Sequence, residues 1–440
     1  MDIGRSRLVR HSIGEVQLLK FFLPPAVIQA ELRAVLERVI FECVESGVRG
    51  ALLLDHDRPA MNSLTCNCVL GLDGVSAADL GRLFPEPSST AALLPLLQES
   101  GLEGFGLRSI VVSRDAAPIL LLPLFETRFD LSTFAEGWIK RSLNVAGRLV
   151  PTIFQPRILG VGLLVGEWSE IGIDPQIEAN ILEAAWTMAL GALRTLATEL
   201  RTDIVAFYNF NQHGNLPPEV FNGFNRVPGL PSARLAITFD SLEEYLCRLS
   251  RGARKDLHRK MRVSPDVTVR RSRDISPFLD RIYRLYVDTV ARHPLAFGVH
   301  RRVFLEHICA RVPGAEYTLY FVQGELAAFN LLVVKPDAMV DKYFCMDLEV
   351  GRQYNLYFLS WLENVRYCVE HKIPLYHAGP GAENTKAHLG ATSIPSFILF
   401  KHRRPAVDRF LIGHRALIER ILRSLGFWPA AGGGRAGQIP

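Results

Sequence analysis

Apolar residues recur at helical spacing from Val27 to Ser46 (Val27, Ile28, Leu32, Val35, Leu36, Val39 and Ile40, with charges between them), which predicts an amphipathic helix. A strand is expected at Ala51–Leu54. The cluster Pro85-Glu86-Pro87-Ser88-Ser89 predicts a turn ahead of a helix over Ala91–Glu99. The period then shortens. Leu107–Ser113 and Pro118–Phe125 read as strands joined by the turn Arg114-Asp115-Ala116. A strand at Ile158–Val165, a helix over Ile177–Leu200 and a strand at Ile204–Phe210 follow, an alternation that predicts a mixed α/β unit.

The stretch Asn211–Pro231 is rich in Pro, Asn and Gly, shows no periodicity and reads as a linker. A second unit opens on Ser241-Leu242-Glu243-Glu244, a capping box with serine at the cap and glutamate three residues on. Leu242, Tyr245, Leu246 and Leu249 continue it as one apolar stripe. A strand at Val267–Arg271 and helices at Pro277–Ala291 and Arg302–Ala310 come next. Tyr317–Val322, Glu325–Val334 and Ala338–Met346 then form three strands separated by Gln323-Gly324 and Pro336-Asp337, an antiparallel meander. A helix over Leu356–His371, a strand at Pro374–His377, a glycine-rich loop, a short helix and a strand at Ser396–Lys401 complete the unit. A basic amphipathic helix, Val407–Leu425, and a polar, glycine-rich tail, Ala430–Pro440, close the chain. The expected organisation is an extension over 1–85, a first lobe over 86–235, a second lobe over 236–404 and the basic helix and tail over 405–440.

Composition changes this picture little. The 440 residues carry 50 Lys and Arg against 45 Asp and Glu, a net charge of +5, which gives no general case for binding DNA. Cysteines 43, 66, 68, 247, 309, 345 and 368 are scattered. The one close pair, Cys66 and Cys68, lacks a second Cys or His pair to complete a zinc site, so no metal is expected and reduced thiols are. The apolar runs Pro118–Phe125 and Ile158–Val165 fall far short of the roughly 20 residues a membrane helix needs. Glu15, Gln17 and Lys20 interrupt the N-terminal stretch too often for a signal-peptide core, so the expected location is the cytoplasm.

Charge clusters in one place. Arg248, Arg251, Arg254, Lys255, His258, Arg259, Lys260 and Arg262 crowd a short segment in which Asp256 is the only offsetting acid. Such a cluster attracts a phosphate-bearing ligand, with a solvated helix face as the plainer account.

Helices, a three-stranded meander, then helix, strand, helix and strand is the element order of a GNAT domain. The segment SLEEYLCRLSRGARKDLHRKMR resembles the basic helix that opens the catalytic half of FemAB-like transferases. The segment from Asp341 to Ala391 resembles their core motif, a strand, a helix and a short strand ending in a glycine loop: Gly379-Pro380-Gly381-Ala382-Glu383-Asn384-Thr385-Lys386, then Gly390. The region around LLPLLQESGLEGFGLRSIVVSRDAAPILLLPLFET resembles a degenerate first GNAT lobe. The resemblance implies an α/β (α+β) fold of tandem GNAT-like lobes, with mixed, mostly antiparallel sheets flanked by helices. It also implies amide formation, by transfer of an acyl group from acyl-CoA or an acyl-carrier thioester to a small amine acceptor, with no tightly bound cofactor. Aminoacyl transfer from tRNA, or a non-catalytic binding protein on the same fold, are the alternatives. An acyl carrier protein or a tRNA is then the candidate macromolecular partner.

On that basis Lys386 matches the family lysine that meets substrate phosphate or the reacting carbonyl. His377 and His388 are candidate general bases, since histidine titrates near pH ~6.5. Asp341 is another, on the third meander strand, and Asp347, just past its end, a candidate base or substrate ligand. Tyr343 and Tyr354 are candidate proton donors to a leaving thiolate, and Glu383 and Asn384 candidate ligands of the amine. Arg254, Lys255 and Arg259 are candidate donor ligands in the basic cluster. Between Gly351 and Leu356 the chain lacks the glycine-rich loop with which simple acetyltransferases hold the CoA pyrophosphate, leaving Arg352, Tyr354 and Asn355 as donor-binding candidates there.

Overall fold

The computed structural model describes residues 64–129, 155–165, 168–211, 216–292, 298–405 and 407–409. The expected helix over Val27–Ser46, the strand Ala51–Leu54, the tail and nearly all of the helix Val407–Leu425 lie outside the described residues. The two lobes below belong to one compact unit.

The first lobe runs β1 (Leu64–Leu70), α1 (Ala77–Leu83), α2 (Thr90–Ser100), β2 (Phe105–Arg114), β3 (Ala117–Arg128), β4 (Arg157–Val161), β5 (Gly172–Ile173), α3 (Ala179–Glu199), β6 (Ile204–Phe210), α4 (Pro218–Gly223) and β7 (Asn225–Pro228). The second runs β8 (Ser232–Ala236), α5 (Leu242–Arg248), α6 (Arg251–Lys260), β9 (Val267–Ser272), α7 (Leu279–Arg292), α8 (Arg302–Arg311), β10 (Ala315–Val322), β11 (Glu325–Val334) and β12 (Met339–Met346). It continues through α9 (Leu348–Gln353), α10 (Leu356–Glu370), β13 (Leu375–Gly379), α11 (Glu383–His388), β14 (Thr392–Ile394) and β15 (Phe397–His402).

Local chemistry accounts for the hairpins. The β10–β11 turn has Gln323 and Gly324 at φ 52° and 84°, and the β2–β3 turn has Asp115 and Ala116 at 50° and 68°. Both central residues are left-handed, the turn whose twist matches that of the strands it joins. The basic segment expected as one helix is broken into α5 and α6, because the Ser250 hydroxyl accepts the Ala253 N–H at 3.2 Å and caps a new helix. Inside the expected linker lie α4 and β7. A four-residue edge strand beginning Asn225-Arg226 shows no alternation to read.

The first sheet has the order β1-β2-β3-β4-β6-β15-β7, with β5 paired to β3, and the second β14-β8-β13-β12-β11-β10-β9. Both are mostly antiparallel; β4 with β6 and β12 with β13 are parallel. One strand crosses over. β8, the first strand of the second lobe, lies between β13 and β14 of its own sheet, while β15, read from sequence as completing the second lobe, inserts between β6 and β7 of the first.

The cores follow this layering. On one face of the first sheet, Trp186, Leu193 and Leu196 of α3 pack with Leu120, Phe207 and Leu399. On the other, Leu93 and Leu97 of α2 share a core with Phe304 and Ile308 of α8 and Leu331 of β11, so the lobes are joined by apolar packing. At its rim Glu99 accepts from Arg311 at 2.8 Å and lies 3.0 Å from His307 Nδ1. Below the second sheet, Trp361 and Val365 of α10 pack with Leu332, Met339 and Tyr376. No described helix is long and apolar enough to cross a membrane.

Leu399, on the crossing strand β15, is fully buried. Leu399→Ala is expected to cost about 3 kcal/mol of stability and to shift one unfolding transition common to fluorescence and circular dichroism in urea. Two separated transitions would show that the crossing of β15 does not couple the lobes.

Candidate active site

The parallel strands β12 and β13 pair for only two residues each, Met339 with Tyr376 and Val340 with His377. Beyond them the strands diverge. Asp341 on one side and Ala378-Gly379 on the other mark the opening. Past it, Gly379, Gly381 and Ala382 adopt φ of 71°, 80° and 51° and turn the chain into α11.

Lys386 holds that turn. Its Nζ donates to the carbonyls of Ala378 (2.6 Å), Gly379 (3.0 Å) and Pro380 (3.0 Å), and the residue is 6% exposed. The three hydrogens of the ammonium thus meet three carbonyls. Burial pushes its pKa down to about 8, against the opposing pull of Asp341 and Glu383.

Asp341 is the centre of a second network. Its Oδ2 accepts from Asn330 Nδ2 at 2.9 Å, the Tyr376 hydroxyl at 3.0 Å and Asn364 Nδ2 at 3.3 Å. Tyr320 donates to Asn330 Oδ1 at 2.8 Å and fixes that amide's orientation. Burial pushes the Asp341 carboxyl up to about 6, against the hydrogen bonds from Asn330 and Tyr376 and the Lys386 charge. Three buried atoms here have no hydrogen-bond partner among the described residues: Asp341 Oδ1, Asn364 Oδ1 and the Tyr357 hydroxyl. Tyr357 and Asn364 are seven residues apart on α10, hence on one helix face. Buried polar atoms left unpaired in this way mark a place where a ligand's polar groups can be received.

The other sequence candidates are dispersed. The register of β12 against β11 shifts between Leu331 and Leu332, so that Lys342 is the extra residue of a bulge. The bulge sends Tyr343 to the opposite face from Asp341, where its hydroxyl lies 2.9 Å from His300 Nε2 and packs edge-on to Tyr286. His377 is buried, and strand alternation turns it away from the face of Tyr376. His388 ends α11 exposed, and Asn384 is exposed as well. Glu383 opens α11, its carboxyl raised by burial against the pull of Lys386. Asp347 is a helix cap. It accepts the Glu349 and Val350 N–H groups and pairs with Arg281 at 3.2 Å; these bonds outweigh burial and hold its carboxyl below the usual range.

Of the donor-binding candidates, Arg352 is exposed on α9 and Tyr354 caps its C-terminus. Asn355 precedes α10 in a left-handed conformation, its Nδ2 donating to the Lys260 carbonyl at 3.2 Å. Lys260 Nζ lies 3.5 Å from the Phe358 ring centre. The C-terminal end of α6 therefore abuts the first turn of α10. Arg259 pairs with Asp256 at 2.6 Å, Arg254 donates to the Cys247 carbonyl at 3.4 Å, and Lys255 is exposed. Among the described residues no three metal-ligating side chains converge.

Sequence reading missed Asn330, Asn364, Tyr376 and Tyr357. One signal was present: Asn330 is the lone polar side chain in the run Leu326–Val334, and a buried amide in an apolar strand needs partners.

A family model described as an acetyltransferase (GNAT) domain matches residues 250–387, a span that contains both networks. No curated protein matches the chain in sequence. Among solved structures, the C-terminal DUF2156 domain of a putative lysylphosphatidylglycerol synthetase from Agrobacterium fabrum is 14% identical, over 83% of this chain and 100% of that one, with a TM-score of 0.46. The L-PGS of Bacillus licheniformis is 11% identical over 77% and 98%, with a TM-score of 0.46. A tandem GNAT protein from the clavulanic acid biosynthesis pathway is 13% identical over 77% and 98%, with a TM-score of 0.44. The chain thus carries a match to a GNAT domain model over residues 250–387, within a mixed α/β fold of two mostly antiparallel sheets, each flanked by helices.

Two outcomes follow from the networks. Asp341 has a folded pKa near 6 and a reference value of 3.8, so the folded state holds a proton that the unfolded state has lost between those values. Stability therefore falls as pH rises from about 4 to about 6, by up to about 3 kcal/mol. Asp341→Asn should abolish that slope in urea titrations at pH 4 and pH 7; an unchanged slope would place the titration elsewhere. Lys386→Met strips donors from three carbonyls and should cost about 2 kcal/mol or more, with faster amide exchange in α11. Unaltered exchange there would mean that the clamp does not hold the turn.

Proposed function

We propose that the second lobe forms an amide by moving an acyl group from a thioester, on CoA or a carrier protein, to a small primary or secondary amine. The observation that carries the reading is the Asp341 carboxylate at the divergence of β12 and β13, with Oδ1 buried and unpartnered. A base that ionises near pH 6 is charged at neutral pH and still basic enough to take a proton from an amine as it attacks. The amine nitrogen attacks the thioester carbonyl and passes its proton to Asp341 Oδ1; the C–N bond forms, the C–S bond breaks, and the sulfur leaves as thiolate. Tyr357, whose hydroxyl burial keeps protonated, is the donor available to that sulfur. It takes the role that sequence reading gave to Tyr343 or Tyr354. Lys386 acts by holding the turn that forms the other lip of the opening. Reduced cysteines, six of them among the described residues, and a thioester donor both fit a cytoplasmic enzyme.

The test is thiol release from acyl-CoA and acyl-pantetheine in the presence of a panel of amines. Turnover should rise with pH through about 6 as Asp341 ionises. Asp341→Asn should lower kcat by about 10²- to 10⁴-fold and erase that acid limb. Wild-type turnover in Asp341→Asn would sink the assignment. A folded protein inert toward every thioester would leave aminoacyl transfer from tRNA or the binding-protein reading in its place.

A further inference from the structure

On the thioester reading just given, we infer that the exposed face of α6 docks an acidic carrier protein that presents the acyl group on its phosphopantetheine arm.

Helix α6 buries Ala253 and Leu257 in the core of the second lobe. Turned the other way are Arg251, Lys255 and His258, with Arg262 in the 3-10 turn that follows the helix; all four are exposed, with no ion-pair or hydrogen-bond partner among the described residues. The sole acid of the helix, Asp256, is already taken by Arg259 and Lys260, both at 2.6 Å. Arg251, Lys255 and Arg262 therefore offer a row of uncompensated cations about 15 Å long. The C-terminal end of α6 meets the first turn of α10 through the bond from Asn355 to the Lys260 carbonyl. Tyr357, which lines the Asp341 network, stands in that same turn. A partner lying along the row thus has its arm's exit beside the opening.

The chain between β12 and α10 favours a carrier over a nucleotide donor. A pyrophosphate is gripped by backbone N–H groups at glycines that let it approach closely. Here the segment is helix α9, closed at its start by Asp347. Its one glycine, Gly351, serves packing, since a Cβ there would stand 2.5 Å from Met346 Sδ. A donor whose arm is covalently carried needs no such cradle, because its position is set by protein–protein contact. Rows of like charge give that contact its rate and its register.

The experiment measures binding of the holo acyl carrier proteins of the same organism to the full chain, by fluorescence anisotropy, with total tRNA as a second probe. Wild type should bind a carrier, and weaken at least tenfold between about 50 mM and about 500 mM salt. The exposed double variant Arg251→Glu/Arg262→Glu should bind it at least tenfold less tightly, while thiol release from acyl-pantetheine stays within about twofold of wild type. Carrier binding unchanged in the double variant, or charge-reversal-sensitive binding of tRNA and of no carrier, overturns the proposal. Absence of thiol release from acyl-pantetheine in wild type fails the thioester reading itself, and this docking proposal with it.

Discussion

Two parallel strands that separate after two residue pairs leave a wedge in the middle of a sheet, and the second lobe is organised around filling it. Backbone groups that would have paired across the wedge need other partners in an interior that water does not reach freely. On the β13 side Lys386 supplies them, giving three hydrogens to three successive carbonyls. On the β12 side the wedge holds a carboxylate, and three donors from three different elements converge on one of its oxygens. The other oxygen is left over. The proposed role of Asp341 as a base rests on that asymmetry, one saturated oxygen and one unpaired.

Strand pairing explains why the wedge keeps its form. β13 is held on its far side by β8, the first strand of the second lobe, and β15 carries the chain back into the first sheet. The first sheet is therefore incomplete without a strand that follows the second sheet's last. The α2–α8 core adds apolar burial between the lobes, so an opening of the wedge would have to disturb packing in both.

Much of the fold was legible in the sequence, and the reasons it stopped being legible are specific. The meander, its two-residue turn at Gln323-Gly324 and the helix over Leu356–Glu370 follow from local period and turn chemistry. Which sheet β15 joins is a non-local choice that a six-residue apolar strand does not encode. Asp341 and Tyr343 look like same-face neighbours at spacing two, and only the register shift at Lys342 separates them. Asn364 sits on the buried face of a helix rich in Leu, Trp and Val, where a polar residue is visible but its partners, on β12 and β13, are not. Lys386 was visible through its motif, yet its three acceptors belong to a turn whose form depends on left-handed residues 379, 381 and 382.

The opposing displacements of Asp341 and Lys386 bear on how such a wedge would work. Burial drives the carboxyl up to about 6 and the ammonium down to about 8, so that between those values both are charged and the pair is neutral overall. If Asp341 accepts a proton from an attacking amine, that balance is lost and the Lys386 charge, among carbonyl dipoles, keeps only Glu383 as an opposing acid. The species formed at the same moment is an oxyanion, later a thiolate. A positive charge uncovered as negative charge develops stabilises the transition state more than the ground state, the differential that catalysis requires. Lys386 would thus contribute without touching the substrate, through the charge it leaves uncancelled and the turn it holds.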